Sequence, residues 1–434
     1  MIAIFSFIIF AYYICFLLIC DCNYNINHNI MKNINKLPIL PILVLLFPLL
    51  LSACQNSEPK AGDLITVDVT KSYPKKELIL QDLFDIEYIP LETRDGFITL
   101  GTVADIQEDF IIITDNGLSG DINFVNWEGR FLKKINRKGQ SGEEYIDFRK
   151  AIYDEEREEL YVNDFMAEKI VVYDLDGHFK RSLKHGSGAY FEWMDDFNED
   201  YLICNAKAAV DPDESGYDVS NCGFSLISKD DGTLMKVNIP YEKYVSPTII
   251  LNGSQGKLYT SVRNNPQIPY HGEGMLLSEI SSDTIYFCSG KDYSLRPFFV
   301  RAPSVGAMDI PICLFPGVIT SEYYFLQSVE KYYDPERRTG FETKDLLFDK
   351  TKNALYEYHI ENADFDSEQS FNLVNPRPSL SFFNNDTIAF ITRMEAPDLI
   401  EALNDGKLRG PLKEIASGLD EEDNPVLMIA RYKK

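Results

Sequence analysis

The sequence predicts an all-β fold, a six-bladed β-propeller carrying a short helical insertion in its last blade. Three observations predict it. From about residue 64 onward, short β-branched and aromatic runs alternate with Asp, Asn and Gly turns. Two neighbouring segments repeat one order of elements at ~40 to 50 residues, the span of a four-stranded blade. No Pro/Ser-rich linker or shift of composition divides residues 64–434, so they read as one domain despite a chain length of 434.

The repeat is clearest in DFIIITDNGLSGDINFVNWEGRFLKKINRKGQSG, from Asp109, and EELYVNDFMAEKIVVYDLDGHFKRSLKHGSG, from Glu158. Each has an apolar strand ending in Asp or Asn, a polar loop, a second strand, an acidic-Gly turn, a third strand and a basic Gly-containing loop. YLICNA with FSLISKDDGTLMKVNI (201–239) forms a third unit, and KLYTSV with DTIYFCSGKDYSLRPFFV (257–300) a fourth. EYYFLQSV with DLLFDKTKNALYEYHI (322–360) forms a fifth, whose turn holds Asn without Gly. DTIAFITRM with NPVLMIARYKK (386–434) forms the sixth, interrupted at 397–419, where apolar residues recur at helical spacing around Gly406 and Gly410. Two strands, ITVDVT (65–70) and DIEYIPL (85–91), precede the first unit. Ring closure favours an early strand completing the last blade beside the C-terminal strand, because that removes open edges.

Ahead of the propeller, residues 1–20 are uncharged and long enough to span a bilayer. A complete export signal nevertheless starts at Met31: basic Lys32 and Lys36, the apolar PILPILVLLFPLL, then Leu51-Ser52-Ala53-Cys54. Residues 1–30 are therefore read as an upstream segment, untranslated or removed, and 31–54 as a signal peptide. The last four residues resemble a bacterial lipobox, which implies lipidation of Cys54. Several acyl chains anchor durably where one does not, and the polar residues 55–63 suit a flexible tether. The expected location is the cell envelope, lipid-anchored to the outer membrane, facing the periplasm or the surface.

The order Tyr88-Ile-Pro-Leu-Glu-Thr93, KGQSGEEY (138–145), Asp283-Thr284-Ile285-Tyr286 and DNPVLMIARYKK (423–434) resembles the six-bladed β-propeller lipoproteins of Bacteroidota, similar in blade pattern to NHL-repeat propellers. The resemblance spans the mature chain. It implies the fold and the anchor and says little of function, because fold does not fix activity.

Composition narrows the partners. A formal charge of −25 repels the phosphate backbone of nucleic acid, so nucleic acid is excluded as a partner. Cys204, Cys222, Cys288 and Cys313 show no C-x-x-C spacing, so no zinc site is written here, and they read as buried free thiols. KGQSG lacks a following helix and a Walker ending, and reads as an inter-blade turn. Acidic residues Asp195, Asp196, Glu199 and Asp200, with Asp211, Asp213 and Glu214, read as solvated loops. Ca²⁺ is the cofactor they could take, and no other cofactor is expected. Two Asp-Thr-Ile triplets, 283–285 and 386–388, fit an O-glycosylation pattern of Bacteroidota exported proteins and equally an ordinary strand start.

Aromatic residues make up 13% of the chain. Most fit blade interiors, but HGSGAYFEWMDDF (185–197) and RNNPQIPYHGEG (263–274) place Tyr190, Trp193, Arg263, Tyr270 and His271 in loop-like contexts. Loops on a rigid scaffold are where ligands are met, so these five are the candidate ligand-binding residues; the competing reading is that their rings fill gaps between blades. The functional expectation is a membrane-tethered, monomeric, non-catalytic binding or assembly module for a glycan, peptide or protein. The alternative is a metal-dependent hydrolase or lyase with its site in the central channel.

Overall fold

A computed structural model describes residues 64–115, 119–185, 191–206, 223–253, 256–262, 266–366, 370–374 and 380–433. The signal, Cys54, Tyr190, Arg263, Cys222 and the Asp211–Glu214 cluster lie outside the described residues.

Six antiparallel sheets follow one another around a ring. Blade 1 holds Thr102–Ile106, Ile111–Thr114, Asp121–Val125 and Phe131–Asn136, ordered from the axis outward. Blade 2 holds Phe148–Asp154, Glu159–Asp164, Lys169–Tyr173 and Phe179–Lys184, and blade 3 holds Phe191–Asp196, Tyr201–Ala206, Gly223–Ser228 and Leu234–Val237. Blade 4 is built from Gln267–Tyr270, Gly274–Leu277, Thr284–Ser289 and Leu295–Ala302, and blade 5 from Ile312–Ile319, Tyr323–Glu330, Thr343–Asp349 and Ala354–Glu361. Leu380–Phe382, Ile388–Met394 and Val426–Tyr432 form blade 6, with Phe84–Pro90 as its outermost strand.

Burial explains the strand chemistry. Middle strands are covered on both faces by neighbouring blades, so Ile111–Thr114 and Glu159–Asp164 are buried throughout, the first as a run of isoleucines and the second with an apolar Leu160–Val162 centre. Outer strands meet water on one face and alternate, as in FLKKIN of Phe131–Asn136. The core is accordingly divided between adjacent blades: Ile112, Phe124, Phe148 and Tyr173 pack between blades 1 and 2, and Met194, Leu202 and Tyr161 between blades 2 and 3. The acidic-Gly turns place Gly129, Gly177 and Gly232 at φ of +79°, +77° and +74°. At Gly129 a Cβ would sit 2.1 Å from the Pro90 carbonyl oxygen, so glycine is required there for space as well as for φ. In blade 5 Asn353 takes the equivalent conformation at φ +50°.

The N-terminal segment is a strap. Ile65–Asp68 adds in parallel to the outer strand of blade 4, Lys75–Ile79 adds in parallel to that of blade 5, and Phe84–Pro90 pairs antiparallel with Val426–Tyr432. Closure beside the C-terminal strand is thus made by DIEYIPL, while ITVDVT serves blade 4. The insertion in blade 6 forms two helices, Ala396–Asn404 and Gly410–Ala416, each with proline in its first turn.

Two expectations are corrected. KLYTSV is not a blade strand: among the described residues Gly256–Ser261 pairs with Thr248–Gly253 alone, in a hairpin between blades 3 and 4. The inner strands of blade 4 come instead from the stretch read as loop, in which Gln267–Tyr270 and Gly274–Leu277 are joined by a tight turn with His271 at φ +45°. Cys204, Cys288 and Cys313 are buried free thiols, and burial pushes the thiols of Cys288 and Cys313 up to about 11. Among the described residues no helix is long and apolar enough to cross a membrane.

Candidate functional site

A meander of four strands gives the ring two unlike ends. First-to-second and third-to-fourth strand turns all open on one end, here the short-turn end. Second-to-third turns and the blade-to-blade connections open on the other, the long-connector end. Of the exposed large apolar side chains, Ile98, Leu100, Ile146, Met166, Tyr241, Ile310 and Tyr332 all belong to long-connector segments, and Met166 and Ile98 are 58% and 64% exposed. Among the described residues, the short turns carry none. The remainder lie on the strap or on outer strands.

The long-connector segments are built rather than loose. Asn424 Oδ1 accepts the Thr99 N–H at 2.8 Å, and its Nδ2 donates to the carbonyls of Glu92 and Phe97, so one buried side chain shapes the connection that presents Ile98 and Leu100. Arg393 donates to the Leu100 carbonyl. Asp164, fully buried, accepts the N–H of Ile146 at 2.9 Å and that of Ala167 at 3.1 Å, tying the connection into blade 2 to the turn that carries Met166. Preformed segments of this kind lose little conformational entropy when a partner is bound.

A second polar group runs along the axis. Lys150 of blade 2 lies 3.5 Å from Asp195 Oδ1 of blade 3, and Gln267 Nε2 of blade 4 donates to Asp195 Oδ2 at 2.8 Å. Asp105 of blade 1 accepts the Tyr153 N–H at 2.7 Å, so the inner strands of blades 1 to 4 are joined by polar contacts. Burial, reinforced by the charge of Asp196, pushes the Asp105 carboxyl up to about 6 against the opposing pull of its N–H donor and Lys150. Between blades 2 and 3, Lys229 is enclosed at 1% exposure, 2.5 Å from Asp154 and 2.8 Å from Asp196.

Asp195 and Asp196 were expected in a solvated loop; they stand instead on the innermost strand of blade 3, each beside a lysine. These carboxylates are neutralised from within the fold. Among the described residues, no three His, Cys, Asp or Glu side chains converge as metal ligands would.

The candidate aromatic residues do not form one group. Trp193 sits half-buried on the inner strand of blade 3, its indole N–H without a partner among the described residues. Tyr270 and His271 lie at the opposite, short-turn end of blade 4, where Tyr270 packs edge-on against Phe287 and Phe298, and the His271 ring meets Tyr432 of blade 6. Burial and the charge of Lys350 hold the His271 ring below its ordinary pKa. The apolar residues of the long-connector end were not singled out from sequence, where Ile98 and Met166 look like any other strand-flanking residue.

A family model described as a domain of unknown function, DUF4934, matches residues 64–301. Among solved structures, a protein named as exported from Bacteroides fragilis superposes with a TM-score of 0.58 at 15% identity, covering 86% of this chain and 100% of its own. A DUF4221 family member from Bacteroides vulgatus superposes with a TM-score of 0.46 at 8% identity, covering 81% of this chain and 97% of its own. No curated protein matches the chain.

Proposed function

The chain belongs to the DUF4934 family, and from that premise we propose that it is an exported, lipid-anchored propeller acting as a non-catalytic binding or assembly module. Cys54 carries the anchor in this reading, following the resemblance to Bacteroidota propeller lipoproteins with NHL-like blades. A similar fold in a protein named as exported supports the envelope location.

The observation that carries the proposal is the one-sided display of apolar side chains, Ile98, Ile146, Met166 and Tyr332 among them, on long-connector segments, those of the first three held in place by buried Asn424 and Asp164. Apolar surface gathered on one face marks contact sites for other proteins, whereas single exposed apolar residues spread over a surface do not. Aliphatic residues favour a protein or peptide partner over a glycan, which would call for stacked rings. The rival metal-dependent hydrolase is not favoured, because Asp195 and Asp196 are already engaged by Lys150 and Lys229. The protein works as a monomer, one face per anchor.

Two experiments test this reading. Radiolabelled palmitate should be incorporated into the wild type and lost in Cys54→Ser; equal labelling of both removes the anchor from the account. Peptide and glycan arrays probed with the mature protein should give peptide hits that Met166→Glu abolishes. Hits confined to glycans, or unaffected by the substitution, count against the assigned face.

A further inference from the structure

At the long-connector end, the helical insertion of blade 6 borders an apolar cleft. Met394, closing the strand Ile388–Met394, and Leu399, in the first turn of Ala396–Asn404, meet Phe365 and Phe371 from the connection between blades 5 and 6. The cleft encloses 380 Å³, within the range of pockets that receive ligand groups. Its walls are fixed from behind. Phe371 stacks on Phe390 with ring centroids 5.6 Å apart, and its N–H donates to the Ile360 carbonyl at 2.8 Å. Phe365 bridges to Leu408 of the insertion, flanked by bonds from the Asp366 N–H to the Lys407 carbonyl at 2.8 Å and from the Arg409 N–H to the Asp364 carbonyl at 2.9 Å. Thr392, 7% exposed, also lines the cleft, and its hydroxyl has no hydrogen-bond partner among the described residues. A hydroxyl left unpaired in a buried position is costly until a bound group supplies the bond.

Charge selects the occupant. Glu395 and Asp398 stand on the cleft; Arg393 lies 3.0 Å from Glu395, and Asp398 has no ion pair among the described residues. Arg393 also donates to the Leu100 carbonyl and, at 3.2 Å, to the Thr102 hydroxyl, which joins the cleft to the segment that displays Ile98 and Leu100. Ile98 itself borders a groove lined by Asp95 and the consecutive acidic residues 420–423, with Arg94 the one cation among its described lining residues. Apolar surface here is therefore framed by carboxylates.

Resting on the reading of this end as a protein-binding face, we propose that the cleft receives one large apolar side chain of a partner segment whose neighbouring residues are lysine or arginine. The apolar side chain fills the space between Phe365, Phe371, Met394 and Leu399. The flanking cations lie on Asp398 and on the 420–423 groove. An apolar anchor in a preformed pocket supplies most of the energy of such a contact, while the surrounding charges select among partners. The insertion thus gives the face its specificity.

The test follows the methionine methyl groups of the whole mature protein by ¹³C NMR. Met394 reports the cleft, exposed Met166 the rest of the face and buried Met194 the fold; Met394→Leu identifies the first signal. The probes are two short peptides, each a single phenylalanine among glycines, flanked on both sides by lysine in one and by glutamate in the other. The lysine peptide should shift the Met394 methyl saturably, with an affinity at least about tenfold above that of the glutamate peptide at low salt. That contrast should fall away in about 1 M NaCl, where the screening length is ~3 Å. Exchanging the phenylalanine for alanine should weaken the lysine peptide at least about tenfold. Asp398→Asn combined with Glu421→Gln, both at exposed positions, should reduce the preference for lysine and leave the Met194 signal in place. Equal affinity for the two peptides, no loss on exchange for alanine, or a Met394 methyl that neither peptide moves overturns the proposal. A shift at Met166 without one at Met394 overturns it while supporting the broader face.

Discussion

Replacing Lys229 with leucine isolates a deeply buried ion pair between two blades. The ammonium is 1% exposed, and Asp154, its nearer partner at 2.5 Å, is 7% exposed, so the substitution strands a buried carboxylate. Breaking a buried pair from one side costs about 3–5 kcal/mol. Arg157, 3.9 Å from Asp154, offers partial compensation, and Asp196, about half exposed, can turn to water; together they place the expected loss near the lower limit, ~3 kcal/mol. Urea unfolding followed by circular dichroism reads this as a lower midpoint at an unchanged slope. The double variant Lys229→Leu/Asp154→Asn removes the stranded charge while retaining an acceptor for the Arg157 N–H, which Asp154 Oδ1 receives at 3.0 Å, and should recover more than half of the loss. A single variant costing under ~1 kcal/mol, or a double variant no better than the single, refutes the assignment of a desolvated ion pair between blades 2 and 3.

Asp105 carries the clearest pH signature. Its folded pKa of about 6 stands above the ordinary 3.8, so the native state binds the proton more tightly and stability falls as pH rises from about 4 to about 6, by at most ~3 kcal/mol. Asp105→Asn should flatten that window in urea titrations at pH 4.5 and 7, whatever its effect on absolute stability; an unchanged slope speaks against the shift. Deleting residues 424–434 removes Asn424 and the wholly buried Val426–Ala430 from the middle of blade 6. Four large buried side chains at ~1.5–3 kcal/mol each rival the stability of a whole domain, so calorimetry should find no cooperative melt.

How much of this was legible in the sequence depended on whether the signal was local. Blades 1 to 3 announce themselves through Asn126–Arg130, Asp174–His178 and Asp230–Thr233, where an Asn or Asp side chain and a glycine of positive φ make the turn. Blade 4 was misread because Pro266, Pro269, Gly272 and Gly274 mimic loop chemistry. There Pro269 sits on the innermost strand, and Gly274 is needed because a Cβ would meet the Cys288 carbonyl oxygen at 2.1 Å. The strap over blades 4 and 5 could not be read, since Ile65–Asp68 meets Phe299–Ala302 through pairings that span over 200 residues and leave no local pattern. Asp195 and Asp196 looked like a solvated acidic run because their lysines, Lys150 and Lys229, are far away in sequence. Exposure of Ile98 and Met166 is likewise a property of the ring and not of the residues beside them.

The proposed function requires one face of the propeller to meet a partner. Photo-crosslinking amino acids placed singly at Ile98, Ile146, Met166 and Tyr332, and for contrast at Glu156 and Lys291 on the short turns, can be activated in the native envelope and the products resolved by mass. A shared protein adduct is expected from the first four positions and none from the other two. Adducts arising equally from both ends, or only from Glu156 and Lys291, would contradict it.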